Sequence, residues 1–493
     1  MPGFSGIQIA LQSILTHQAA IDIVNHNVAN SSTVGYHRQE AVLIAGPSYG
    51  APGISSSSTM GGMIGTGVVM TQIRRYNVDF MDTRYRSEQA IYKQWSAESD
   101  YMAQVEDSLQ ETGASGMSTK LDTFWNAWKD VATTPEDSSL RATLLEDGKD
   151  LVRAFTGRVE NLTQIQKETN LQVQQRVDEI NTLAMQIAGL NNEIGRYNSP
   201  STQPNNYLDQ QALYLDRLAE ISGARITMED NGQAMVSIGG HALVQGISTF
   251  KLETTTNPAN NQFLDVNWED GQSLNVSSGE LSGLKDLRDN VIDNEIEKLN
   301  TLAASIFTNI NAMHSAGYGL NDTVAWNPPT TPGRNFFVVG DPSQFAASIS
   351  VNSALEDLDN IAAAQDPGLQ GDGRMAEAIF HFQVDTSTGI YKYDPTTGTV
   401  VDTGKNESMN NYNSNRVTDT SLTIRRINTL ATQHENLVDV MKTQRESTTG
   451  VNLDEEAANL VKYQRSYNAS IRMMTAVDEM LDRVINNMGR AGL

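Results

Sequence analysis

The sequence predicts a mainly α protein: an elongated, coiled-coil-like helical rod formed by the N- and C-terminal segments together, with a smaller β-rich insert in the middle of the chain. Three observations carry that prediction. Apolar residues recur at helical spacing at both ends of the chain, helical periodicity continues with little break from Thr134 to about Tyr197, and period-two alternation takes over only from Ala224 to about Val276.

In the first segment Ile7, Ile14, Ile21 and Val28 recur every seven residues, with Ala10, Leu11, Ala20 and Val24 alongside, which makes a narrow apolar stripe on one helix. The last segment offers a matching stripe in alternating steps of three and four: Leu460, Tyr463, Tyr467, Met474, Val477, Leu481, Val484 and Met488, broken at Ser470, where Ile471 stands next door. Alone, each stripe has too little else to hold it, so each terminal helix is expected to be largely disordered until it finds a partner. Two such helices docking on one core is the plainest reading of either stripe.

Between the ends, Ile91, Trp95, Met102, Val105 and Leu109 mark one helix, and Met117, Leu121, Phe124, Trp128 and Val131 another. Thr134-Pro135-Glu136-Asp137 then reads as a helix start, with a hydroxyl cap, proline at the first helical position and acids in the first turn. The helix that follows would be on the order of 90 Å if unbroken, although Gly148, Gly157 and Gly189 are candidate interruptions. A Pro/Asn/Ser/Gln stretch at 198–206 reads as a turn, Tyr207–Ile221 as a returning helix, and Ala224–Gln245 as a β-hairpin or meander with turns at Asp230-Asn231-Gly232 and Gly239-Gly240. Residues 280–316 return to helix, 321–420 are mixed, and helix resumes near Ser421 with a break around Thr448–Gly450. The implied division is an inner unit of 1–35 and 460–493, a rod of 36–222 and 278–459 with 343–420 unassigned, and an outer insert of 223–277.

Composition narrows function. There is no cysteine, which removes disulfides, thiol nucleophiles and cysteine-bound metals. Lys and Arg total 35 against 59 Asp and Glu, a formal charge of -24, so nucleic acid is an unsuited partner. The charge sits in the middle: residues 1–40 and 453–493 are each near -1, leaving about -22 for the rest. The ends can therefore pack against copies of themselves with little like-charge repulsion. No window is long enough for membrane insertion, and no basic start and apolar run of a cleaved signal stands at the N-terminus.

Catalytic patterns are missing. No histidine has a second one four residues away, and His434-Glu435 runs on as Asn436-Leu437-Val438. Gly61-Gly62-Met63-Ile64-Gly65-Thr66-Gly67 lacks the Lys-Ser/Thr of a phosphate loop and reads as a flexible loop. Asp385-Thr386-Ser387-Thr388-Gly389 and Asp394-Pro395-Thr396-Thr397-Gly398 each carry a single acid where a calcium loop needs several, so they read as tight turns flanking a short strand, Ile390–Tyr393. The sequence calls for no cofactor.

The residues that end the first helix, "NVANSSTVGYHRQ", follow the pattern A-N-x-x-T-x-G-Y-x-R on Ala29, Asn30, Thr33, Gly35, Tyr36 and Arg38, and in this the chain resembles bacterial flagellar axial proteins of the rod and hook type. The C-terminal "VNLDEEAANLVKYQRSYNASIRMMTAVDEMLDRVINNM" is similar to the partner helix of that family, with Thr448-Thr449-Gly450 in place of Ser-Gly before it. Inner stretches at 65–86, 205–246, 278–321 and 336–342 resemble the branch of the family that joins hook to filament. The resemblance implies a structural, non-enzymatic subunit that self-assembles into a ring-like zone through the two terminal stripes. Its implied partners are the hook protein, a second hook–filament junction protein and a cytoplasmic export chaperone on the C-terminal helix. It also implies an extracellular location reached through type III export without a cleaved signal. Another axial protein of hook or rod type, or a type III-secreted coiled-coil protein, is the alternative. The A-N-x-x-T-x-G-Y-x-R residues are then expected to form a hinge, with Asn30 and Thr33 making local hydrogen bonds, Gly35 at positive φ and Tyr36 as an anchor.

Overall fold

The computed structural model describes residues 2–47, 65–109, 113, 116–197, 204–323 and 334–487. The chain opens with helix α1 (Pro2–Ala29) and an antiparallel hairpin of β1 (Gln39–Ala45) and β2 (Val68–Arg75). It continues through α2 (Asp79–Leu109), α3 (Met117–Thr133), α4 (Ser138–Gly195) and α5 (Asn205–Ser222). Of the glycine-rich loop, residues 61–64 lie outside the described residues, as do 198–203 of the expected turn before α5.

Helix α4 is the spine. Its 58 residues reach about 87 Å at 1.5 Å per residue, and Gly148, Gly157 and Gly189 lie within it without ending it. It starts later than the sequence suggested. Thr134–Asp137 is a turn closed by the Asp137 N–H on the Thr134 carbonyl at 3.2 Å, and Asp137 caps the helix by accepting from the Ser139 N–H at 2.7 Å. The buried Arg141 guanidinium accounts for the delay: it takes the Pro135 carbonyl at 2.6 Å and the Ile361 carbonyl at 2.8 Å, holding the turn out of the helical ladder.

After α5 come six strands: β3 (Arg225–Met228), β4 (Ala234–Ile238), β5 (His241–Gln245), β6 (Ser248–Thr249), β7 (Leu252–Thr256) and β8 (Leu264–Trp268). The first four form one antiparallel meander and the last two a separate hairpin, as the alternation predicts. Helix α6 (Glu280–Asp286) runs through a π-helical turn, Leu287–Val291, into α7 (Ile292–Ala316). Arg288, fully buried in that turn, donates to Asn170 Oδ1 of α4 at 2.6 Å and to the Leu264 carbonyl of β8 at 3.0 Å, clamping the insert onto the spine.

The segment from 337 to 406, most of it left unassigned by the sequence, wraps α7 and α3. It comprises β9 (Phe337–Val339), α8 (Phe345–Ser348), β10 (Ile349–Val351), α9 (Arg374–His381) and the hairpin of β11 (Gly389–Asp394) and β12 (Thr399–Asn406). The two Asp-led runs are turns: Asp385 Oδ1 accepts from the Ser387 N–H at 2.8 Å and Asp394 Oδ1 from the Thr396 N–H at 2.9 Å. Helices α10 (Met409–Thr449) and α11 (Leu453–Asn487) complete the chain. Helix α10 begins a dozen residues before Ser421. Its Asn-rich start has little apolar periodicity and is held by tertiary bonds, from Asn413 Nδ2 to Ser118 Oγ at 2.9 Å and from Thr420 Oγ1 to Glu295 Oε2 at 2.8 Å.

Three apolar clusters follow. The largest joins the first half of α4 to α3, α7 and the 336–382 segment around stacked and edge-on rings, with Phe307 and Phe337 centroids 4.2 Å apart. The second joins the other half of α4 to α5, α6 and the insert. The third is small: Ala20, Ile23 and Ala41, with Leu43, Met70, Ile73 and Tyr463 packed on it. Residues near both chain ends thus meet in a small cluster apart from the two larger ones.

Candidate functional site

Helices α1 and α11, from opposite ends of the sequence, pack antiparallel along each other. Their contacts fall in layers seven residues apart. A Cβ placed on Gly6 would sit 3.4 Å from Val477 Cγ2, Ser13 Oγ and Ser470 Oγ share a hydrogen bond at 2.8 Å, Ala20 packs with Tyr463, and Asn27 Nδ2 donates to Glu456 Oε2 at 3.1 Å. Ala10 and Val24 are buried between these layers, and the His17 ring lies 6.3 Å from that of Tyr463. Small side chains let two helices approach closely, which is how α1 can bring Gly6, Ser13 and Ala20 up to α11.

This seam lies one residue away from the bulky stripe that the sequence suggested as the partner of the C-terminal helix. Ile7, Ile14 and Ile21 are half-buried beside the seam, while Leu11 is 45% and Val28 43% exposed. The flanking Ala10, Ala20 and Val24 are the fully enclosed ones. The opposite edge of α1 is covered by the hairpin, where Thr16 Oγ1 donates to the Val68 carbonyl at 3.1 Å.

On α11, Val477 and Tyr463 of the sequence stripe meet α1. Val477 is buried, and Leu460, Tyr463, Tyr467, Met474 and Leu481 are half-buried. Ser470 is not a break but a buried member of the seam, and Ile471 points outward. Val484 is exposed, and Met488 lies outside the described residues.

At the top of the seam α1 ends in the A-N-x-x-T-x-G-Y-x-R residues. Ala29 is the last helical residue and is exposed. Asn30 Nδ2 turns back to the His26 carbonyl at 2.9 Å, Thr33 donates its N–H to the Asn30 carbonyl at 2.9 Å, and Gly35 has φ of 80°. That left-handed turn suits glycine and redirects the chain. Tyr36 then folds back so that its hydroxyl donates to Asn27 Oδ1 at 2.7 Å while accepting from His26 Nδ1 at 3.0 Å. Burial first, and the charges of Asp209 and Glu456 after it, push the Tyr36 hydroxyl far above its ordinary value, so it stays a donor.

Asn27 is fully buried and uses all of its hydrogen-bonding capacity. Its Oδ1 accepts from Tyr36 and from the Gln39 N–H at 3.0 Å, and its Nδ2 donates to the Gln39 carbonyl at 2.8 Å and to Glu456. Glu456, itself 1% exposed, gives its other oxygen to Arg38 Nε at 2.7 Å, while Arg38 Nη1 reaches Glu455 Oε2 at 2.7 Å. The Arg38 N–H donates to the Thr449 carbonyl at 2.9 Å. Burial pulls the Arg38 guanidinium down, and the bond and charge of Glu456 outweigh it and hold it up.

The turn also docks on α5. His37 Nδ1 and Arg75 Nε converge on Asp209 Oδ1 of α5 at 2.9 and 2.7 Å. Sequence reading missed Asn27, Gln39 and Glu456. Asn27 reads as a polar interruption and Glu456 as an ordinary acid in a helix's first turn. The available signal was the heptad series Gly6, Ser13, Ala20 and Asn27, whose small residues register in no hydrophobicity pattern. Among the described residues no group of three His, Asp or Glu side chains is placed to hold a metal, and no helix is long and apolar enough to cross a membrane.

Comparison with known proteins bears on this arrangement. Residues 102–337 match the family model described as the flagellar hook-associated protein FlgK helical domain, and residues 442–488 that of the flagellar basal body rod FlgEFG protein C-terminal. Flagellar hook-associated protein 1 of Bacillus subtilis is 25% identical over 99% of both chains. The proteins of that name from Escherichia coli and Salmonella typhimurium are 22% and 24% identical, each over 97% of this chain and 99% of theirs. A solved structure of the flagellar hook junction protein FlgK from Burkholderia pseudomallei is 24% identical and covers 52% of this chain and 47% of its own, with a TM-score of 0.47.

Proposed function

The chain belongs to the family of flagellar hook-associated proteins, and from that premise we propose that it is a structural subunit of the bacterial flagellum at the junction of hook and filament. The observation that carries the reading furthest is the unpartnered side of the terminal pair. Leu11, Leu15 and Val28 of α1 and Met473, Met480 and Val484 of α11 are each 43% exposed or more, on a unit whose ends carry almost no net charge. Packing this side against neighbouring copies would bury about 1.5–3 kcal/mol per large side chain. The α1–α11 seam, built on Gly6, Ala10, Ser13 and Ala20, buries little apolar area by itself. The pair is therefore marginal in a lone subunit and is consolidated by assembly.

In this reading Ile7, Leu11, Ile14, Ile21, Val28, Leu460, Tyr463, Tyr467, Met474, Val477, Leu481, Val484 and Met488 make up the inner assembly unit, and Ala29 to Arg38 are its hinge to the rod. The unit of 1–35 and 460–493, the rod of 36–222 with 278–459, and the insert of 223–277 are separate working parts, a division favoured by the three separate apolar clusters. The subunits form a ring-like zone on the hook protein and receive a second junction protein. A cytoplasmic chaperone holds the C-terminal helix before export, the subunit acts outside the cell, and it performs no catalysis.

Deletion of residues 1–35 and 460–493 tests the reading. The remaining chain should stay monomeric and keep its helix and strand content by circular dichroism, yet fail to join the hook tip. Collapse of the truncated body would return the termini to the role of ordinary core helices. Full motility in a strain lacking the gene would overturn the junction role.

A further inference from the structure

Seams between helices take their register from the shapes that interlock and from polar groups that must find partners. The α1 side of this seam supplies few shapes: Gly6, Ala10, Ser13 and Ala20 would accept almost any neighbour. A slip of one heptad would leave the steric fit nearly unchanged. It would not leave Glu456 unchanged. Slipped one way, its carboxylate moves from Asn27 to the layer of Ala20, buried with no donor; slipped the other way, Asn27 meets Tyr463 and Glu456 runs past the end of α1. An uncompensated buried carboxylate costs several kcal/mol.

We propose that the buried node of Asn27, Arg38 and Glu456 is the register determinant of the terminal pair, the element that makes α11 dock on α1 at one axial position. Arg38 lies beyond the helix end, so the node also requires the hinge to be folded before the C-terminal helix can be read. The Gln39 backbone, which closes the node through Asn27, belongs to β1, tying register to the hairpin that covers the other edge of α1. The inference concerns pairing within one chain and stands apart from what the assembled subunit does.

The absence of cysteine gives a clean background for crosslinking in the full-length chain. Ser13→Cys with Ser470→Cys reports the observed register, whose hydroxyl oxygens are 2.8 Å apart, and Gly6→Cys with Ser470→Cys reports a slip of one heptad. With the node intact, the in-register disulfide should exceed the slipped one by about tenfold or more, since 1.4 kcal/mol already gives that ratio and the unpaired charge exceeds it. In the Asn27→Leu/Glu456→Leu background the two facing polar groups are replaced together, and Tyr36, Arg38 and the Gln39 backbone lose those partners in either register alike, so the loss bears on stability and not on the choice between registers. There the ratio should fall by about tenfold towards parity, with helix content unchanged by circular dichroism. A ratio unmoved by the double substitution would overturn the proposal. So would loss of both crosslinks together with helicity, which would reduce the node to a source of stability alone.

Discussion

Glu98 offers the sharpest test of how the rod is held. It lies on α2 with 1% of its surface exposed, and its Oε1 has no hydrogen-bond partner. Burial first, and the nearby Asp286 charge after it, raise its carboxyl from 4.5 to about 7, with Gln94 and Arg426 offsetting them only in part. The unfolded chain releases this proton near 4.5 and the folded chain keeps it to about 7, so stability is full below 4.5 and falls as pH rises through that window. At about 1.36 kcal/mol per pH unit the total loss is about 3 kcal/mol. Glu98→Gln keeps the shape without the charge. Urea unfolding followed by the fluorescence of Trp125 and Trp128, which lie in the cluster that the end of α2 joins, should show the variant gaining on the parent from pH 5 to pH 8, by up to about 3 kcal/mol. A difference that stays flat with pH would refute the buried, proton-bearing carboxyl.

His314 has the opposite slope. It is fully enclosed, with Nε2 accepting the Ala362 N–H at 2.9 Å, and burial pulls it from 6.5 to about 4, so stability is lost as pH falls through that window, by about 3 kcal/mol. In the Glu98→Gln background, which removes one strongly raised carboxyl that opposes it, unfolding free energy should climb between pH 4 and 6.5 in urea titrations, less what the raised Asp147 and Asp293 carboxyls take back. Glycine to alanine within α4 should split by position. Gly157→Ala and Gly189→Ala meet no atom within 4 Å and should raise the melting midpoint, by up to about 1 kcal/mol each. Gly148→Ala would press its Cβ to 2.9 Å from the Phe336 ring, inside the packed aromatic cluster, and should cost about 1–3 kcal/mol in the same thermal melts.

Much of this architecture was legible because it rests on periodicity. Val173, Val177, Ile180, Ile187 and Ile194 repeat at helical spacing along α4 and are all buried, and the alternation of "AMVSI" is the burial pattern of β4. What stayed hidden rests on polar groups whose partners are far away in sequence. Nothing near Pro135 announces that Arg141 will take its carbonyl, and the Asn-rich start of α10 becomes helical through bonds to α3 and α7. The 336–382 segment folds by setting its own Phe336, Phe337, Phe345 and Phe382 against rings of α3 and α7, contacts that no local pattern announces. The same holds at the hinge: Gly35 and Tyr36 could be assigned locally, whereas Glu456 stands 429 residues from Asn27.

The placement of the seam changes what the two terminal stripes have to do. If the bulky residues of α1 had filled the contact with α11, the pair would be a finished coiled coil with nothing left to drive association. Instead the close approach uses glycine, alanine and serine, and Leu11, Leu15 and Val28 remain outside it. Small residues give proximity but little energy and little register, so each missing quantity needs another source. Register comes from the buried Asn27–Glu456–Arg38 node, whose cost when mispaired exceeds anything the seam could regain by slipping. On the proposed function, energy would come from surfaces that a lone chain cannot cover, and consolidation of the termini would depend on the presence of neighbours. On the proposed assembly, such a subunit would pair its own ends correctly first and commit them only where other copies are waiting.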